Sequence, residues 1–176
     1  MQDVFAAFLF FLPAGIANTA PTIANKIPGL KNWRTPLDFG QKWHGRRLLG
    51  PNKTWRGLVS GAVLGGFTAM AEYVIFSKTH VTSGHVLSFL LGVILGLGAL
   101  TGDAVESFFK RQANVPAGHS WFPFDQLDYI SVGLVFIYPF VHPSLNIMAW
   151  VIVLYFGLHL IVSYIGYVFG FKERPI

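Results

Sequence analysis

The stretch "LGALTGDAVESFFKR" (residues 97–111) decides the fold. It opens as sequence apolar enough for a bilayer interior and then, without a turn signal, presents Asp103, Glu106, Lys110 and Arg111. Asp103, Glu106 and Lys110 are spaced i, i+3, i+7 and so share one helical face, with Ser107 one turn along from Asp103. A charged side chain at mid-membrane costs about 2.5–3.5 kcal/mol on insertion scales, so acids on such a helix sit near its end or line a wet cavity. The stretch therefore reads as a membrane helix whose last turns meet an aqueous boundary.

Composition agrees. Of 176 residues, 53% are hydrophobic and 12% charged, where a soluble domain carries roughly 25% charge. The absence of cysteine excludes a disulfide framework, a thiol nucleophile and a thiolate metal site. The chain is basic, with a pI of about 9.6. Its basic residues flank apolar spans, which points to a bilayer as partner and not to nucleic acid.

Working outward from residue 97, five spans emerge, each near the roughly 20 apolar residues a crossing requires. Residues 4–25 are free of charge and form the first; Gln2 and Asp3 lack the positive n-region of a cleaved signal peptide. The second runs from about Leu58 to Phe76, with Glu72 near its far end, and the third covers about 85–109. From Tyr129 to Phe171 no charge occurs, a length too great for one span, and "VHPSLN" (141–146) supplies a turn that splits it in two. The expected architecture is an all-α polytopic membrane protein, one integral membrane domain over residues 1–176.

Charge then orients the spans. The 26–56 loop carries Lys26, Lys31, Arg34, Lys42, Arg46, Arg47, Lys53 and Arg56 against one acid, Asp38. With Lys110, Arg111, Lys172 and Arg174, twelve basic residues fall on one side, and Lys78 alone on the other. The positive-inside rule makes the crowded side cytoplasmic, with the N-terminus outside and the C-terminus inside. Any surface chemistry is expected on that face.

A second acidic pair, Asp125 and Asp128 in "FDQLDY", opens the fourth span at i, i+3 spacing. Carboxylates from adjacent helices can meet there, and their repulsion is relieved by a hard divalent cation such as Mg²⁺, which takes carboxylate, phosphate and water oxygens. The scattered histidines form no HExxH, so zinc is not expected. Facing the acids, "HGRRLLGPNKTWRG" (44–57) superficially resembles a Walker A loop but places Pro51 and Asn52 before Lys53. Lys53 and Thr54 can donate to phosphate oxygens, and Arg56 opens a helix whose N-terminus attracts anions. Alone, the loop could equally hold anionic lipid; beside a metal-competent acidic cluster, nucleotide phosphate is favoured. "ANTAPTIANK" (17–26) adds Asn18, Asn25 and Lys26, the two asparagines seven apart and hence on one helical face. Membrane asparagines can also simply join helices. The glycines Gly92, Gly96 and Gly98 read as helix packing, or as a groove for lipid.

These motifs carry a resemblance. Gly102–Asp103, Ser107–Lys110–Arg111 and Asp125–Asp128, with the Pro-x-Lys-Thr-Trp-x-Gly element at 51–57, resemble the signature of the phosphatidate cytidylyltransferase superfamily. The motifs span about residues 35–130. No Gly-Gly follows His119, where the longer enzymes of the superfamily have His-Gly-Gly, and Gln126 stands where the last motif usually has Arg. Short length, five spans, "TPLDFG" (35–40) and the asparagine-bearing first span resemble the archaeal branch, the CDP-archaeol synthases. The resemblance implies a Mg²⁺-dependent transfer of CMP from CTP to an isoprenoid glycerol-ether lipid phosphate, 2,3-bis-O-geranylgeranylglyceryl phosphate, with release of pyrophosphate. It implies one or two Mg²⁺ ions on Asp103, Asp125 and Asp128, with these residues and Lys110 catalytic. Lys53, Lys110 and Arg111 would neutralise phosphate, helped by Thr54 and Arg56; Asn18, Asn25 and Lys26 would line the nucleotide or lipid phosphate. Glu106 could orient Lys110. A phosphatidate cytidylyltransferase acting on ester lipids, and an ion or metabolite transporter, are the alternatives. The transporter requires charges through the membrane depth and usually repeats; here the acids on the spans, Glu72 excepted, crowd one end.

Overall fold

The computed structural model describes residues 2–76, 88–116 and 119–170. Lys78, His80, His85, Lys172 and Arg174, which entered the orientation and zinc arguments, lie outside the described residues. In chain order the elements are α1 (Gln2–Ala17), α2 (Ala20–Ala24), β1 (Lys42–Trp43), β2 (Arg46–Arg47), α3 (Trp55–Phe76), α4 (Phe89–Gln112), α5 (Phe124–Val141) and α6 (Leu145–Val168). Among the described residues five segments, with α1 and α2 taken together, are long and apolar enough to cross a bilayer. All five expected spans are present.

The boundaries follow from local chemistry. The first span is not one continuous helix. Pro21 has no N–H to give residue 17 and its ring crowds that carbonyl; α1 stops at Ala17 and α2 restarts at Ala20. The helical spacing that put Asn18 and Asn25 on one face therefore does not apply. The long uncharged segment breaks where "VHPSLN" stands: His142 takes a left-handed conformation (φ 48°, ψ 57°), and Ser144 caps α6 by accepting from the Ile147 N–H at 3.3 Å. The α4 helix runs to Gln112, so Lys110 and Arg111 lie on its last turn.

Close packing sets the register. A Cβ on Gly92 would press on the Gly65 carbonyl, and one on Gly96 would meet the Gly61 carbonyl at 2.6 Å, so α3 and α4 touch backbone to backbone. Gly98 packs on Gly133 and Phe136 of α5. The glycine row is thus packing surface. Phe10, Phe11, Leu95, Ile130, Ile137 and Val151 fill the bundle core. Phe5 and Phe76 pair edge to face (6.1 Å), and Asn146 donates to Asp3 at 2.6 Å, both at one end of the bundle. The 25–54 loop, the end of α4 and the start of α5 meet at the other.

Candidate functional site

At that second end, α4 and α5 approach so closely that a Cβ on Gly102 would collide with the Asp128 carbonyl. This contact brings the next residue, Asp103, beside Asp128. With Glu106, one turn further along α4, these side chains offer ligand oxygens all within 4.8 Å of one another. Glu106 is buried, while Asp103 and Asp128 are partly open. An all-oxygen set of three carboxylates suits a hard divalent cation, and the three residues can hold a metal ion.

The antiparallel pairing of α4 and α5 separates the two acids of the "FDQLDY" pair. Asp128 stands level with Gly102 and Asp103. Asp125, nearly one turn earlier on α5, stands level with Lys110. The Lys110 ammonium lies 2.5 Å from Asp125 Oδ1 and 3.0 Å from Glu106 Oε1, and Asp125 Oδ2 accepts from the Trp121 N–H at 2.8 Å. The structure thus gathers Asp103, Glu106 and Asp128, where the sequence argument gathered Asp103, Asp125 and Asp128. Glu106 also pairs with Lys110, as its i+4 spacing suggests.

Among the loop residues, Lys53 reaches the cluster, its Nζ 2.6 Å from Asp103 Oδ1. Thr54 and Arg56 are occupied otherwise. Thr54 is buried, and its Oγ1 accepts from the Gly57 N–H at 3.2 Å, capping α3. Arg56 is 4% exposed; it donates to the carbonyls of Leu30 (3.2 Å) and Lys31 (3.1 Å) and to Asn25 Oδ1. A guanidinium spends its fork on planar acceptors, and here that fork staples the 25–31 turn to α3. Asn18 is half-buried at the break after α1, Lys26 is exposed, and Arg111 is half-buried on the last turn of α4. His119 is exposed, Gln126 is buried, and Glu72 is half-buried toward the far end of α3, away from the cluster.

The sequence argument missed Asp38. Its Oδ1 accepts from the Gly40 N–H and its Oδ2 from the Leu49 N–H, each at 2.9 Å, and Arg47 lies 3.3 Å away. Burial alone would raise its pKa, but the Arg47 hydrogen bond, the Gly40 and Leu49 amides and the Arg47 charge hold it below the ordinary value of 3.8. Asp38 thereby folds the strand-like segment in which the Leu37 N–H donates to the Lys53 carbonyl at 2.8 Å and the Trp55 N–H to that of Thr35 at 3.0 Å. That segment aims Lys53 at Asp103. The available signal was Asp-Phe-Gly, an Asx-turn in which the carboxylate accepts from the amide two residues on.

Apolar crossings that carry a carboxylate cluster and lysines inside one bundle end define a multi-pass membrane protein with a polar, metal-competent site. A family model described as CarS-like, CDP-archaeol synthase, matches residues 1–176. The chain belongs to this family, and it is a CTP-dependent nucleotidyltransferase. It is 32% identical over 176 residues to a CDP-archaeol synthase of Pyrococcus horikoshii, covering 99% of this chain and 98% of the relative. Identity to that of Thermococcus kodakarensis is 34% with the same coverage, and to that of Pyrococcus furiosus 36% over 79% of this chain and 78% of the relative. A solved structure described as an intramembrane enzyme for archaeal membrane lipid biosynthesis superposes with a TM-score of 0.72 at 28% identity, covering 89% of this chain and 92% of that one.

Proposed function

We propose that residues 1–176 act as one catalytic unit that joins CTP to 2,3-bis-O-geranylgeranylglyceryl phosphate, giving CDP-archaeol and pyrophosphate, with Mg²⁺ as cofactor and the site on the cytoplasmic face. The observation that carries this reading is the convergence of Asp103, Glu106 and Asp128 beside Lys53 and Lys110 at one end of a membrane bundle. The excess of basic residues at that end supports the orientation, N-terminus outside and C-terminus inside.

A lipid phosphate monoester is largely dianionic at pH 7, its second pKa being about 6. Its oxygen attacks the α-phosphorus of CTP without a general base; a new P–O bond forms as the bond to the β-phosphate oxygen breaks, and the electron pair leaves with pyrophosphate. Neutralisation and in-line placement are what remain to be supplied. Asp103, Glu106 and Asp128 would hold the Mg²⁺ ion, which would supply charge stabilisation of the phosphates. Lys53 neutralises phosphate oxygens from the loop side. Lys110, held by Glu106 and Asp125, presents its charge from α4, with Arg111 beside it. Asn18, at the break after α1, and Lys26, just beyond α2, would line the substrate entry, while Arg56, Asn25 and Thr54 shape the wall.

The test is direct. Purified protein with labelled CTP and Mg²⁺ should form a CDP-lipid with the diether phosphate, more slowly with phosphatidic acid, and not in Asp103→Asn. No product with either lipid would overturn the reading.

A further inference from the structure

The outward residues of the β1–β2 hairpin, Lys42, Trp43 and Arg46, play no part in the chemistry above. Lys42 pairs with Arg47 and Trp43 with Arg46, and the two-residue turn His44–Gly45 has positive φ at both positions (48° and 76°), as a tight hairpin requires. It is held in place at its base. Arg47 bonds Asp38, and the Arg46 guanidinium donates to the carbonyl of Gln112, the last residue of a membrane-crossing helix. Phe39, 67% exposed, leans on Trp55, the first residue of α3, with ring centroids 6.3 Å apart. Trp43 is 56% exposed at the hairpin itself.

Two membrane-crossing helices thus hold these aromatic rings close to their own ends, Gln112 of α4 and Trp55 of α3. Lys42 and Arg46 on the hairpin, and Lys31 in the turn that Arg56 bonds at the start of α3, are exposed and have no acidic partner among the described residues. Exposed aromatics mixed with unpaired cations at this level match the water–lipid boundary, where amphipathic rings settle at headgroup depth and basic residues are drawn to anionic lipid. The cluster takes its loop-side charge from Lys53, so the hairpin cations are left for another anion.

We propose that the hairpin is a headgroup-binding element of the same bilayer. Phe39 and Trp43 rest in the interfacial layer, and Lys31, Lys42 and Arg46 bind the phosphates of anionic lipids around the bundle. This is independent of the reaction assigned above.

The chain has no cysteine, so Trp43→Cys and, separately, Phe39→Cys can each carry a single NBD label in full-length protein in nanodiscs. In discs containing phosphatidylglycerol, both labels should emit blue-shifted light and resist iodide quenching several-fold better than in pure phosphatidylcholine. High salt, or Lys31→Glu with Lys42→Glu, should remove that difference, because exposed charges are screened within about 10 Å at 0.1 M salt. Water-like emission with full iodide access in both lipids would overturn the proposal. So would protection that depends on added CTP and not on lipid charge, since that behaviour belongs to a nucleotide lid.

Discussion

The Lys53 ammonium lies 2.6 Å from Asp103 Oδ1, joining the loop before α3 to the metal-competent end of α4. A cation bound through Asp103 competes with this pair. Lys53→Met should therefore tighten binding of Mg²⁺ or Mn²⁺ alone by about two- to fivefold, the scale of a partly exposed ion pair. The same variant should weaken CTP, because the phosphate neutraliser proposed for the loop is gone. Isothermal titration of each ligand separately checks both directions.

Asp125 and Asp128 should part company on substitution. Asp128→Asn and Glu106→Gln should lower divalent-cation affinity by at least about tenfold. Asp125→Asn, whose side chain contacts Glu106 and lies outside the set of three, should cost less of that affinity than either, yet free Lys110 from its 2.5 Å partner. Its kcat should fall by up to about 10²-fold, the cost of a misplaced group. Metal titrations on the three variants, alongside their turnover, separate the roles.

Gly102 is the backbone condition for the cluster. Gly102→Ala drives a methyl group into the Asp128 carbonyl, so α4 and α5 must part, costing about 1–3 kcal/mol of stability and most of the activity. Gly157→Ala on α6 meets nothing within 4 Å and should be neutral or slightly stabilising. Thermal melts in detergent and turnover of both variants give the comparison.

Asp38 should make the loop acid-sensitive. Its pKa is lowered in the folded protein, so the stability it contributes is complete above its unfolded value and is lost as pH falls through the folded one. Asp38→Asn should destabilise by a constant amount from pH 8 to about 5, with the gap closing below pH 4. Melting curves of both proteins across that range test it, and turnover should fall with the loop that aims Lys53.

The spans were legible because the membrane imposes one dominant rule, a run of apolar residues of fixed length, and the turn at 141–146 announced itself through Pro143. The acids were legible as a group because charge is costly there. Which acids meet was not: Asp125 and Glu106 differ only through the helix register, which close contacts such as that of Gly102 with the Asp128 carbonyl determine. Arg56 read as a phosphate ligand because its place at a helix start was visible. The Leu30, Lys31 and Asn25 acceptors that occupy it depend on a loop fold that spacing does not encode.

In the proposed reaction α4 and α5 together hold a cation against the triphosphate. Mn²⁺ in place of Mg²⁺, with CTP added, allows phosphorus couplings to be read by electron–nuclear double resonance on the intact protein. The account expects a ³¹P coupling from CTP in the native chain, lost in both Asp103→Asn and Asp128→Asn. A bound Mn²⁺ without phosphorus coupling, or a coupling that survives both substitutions, would contradict it.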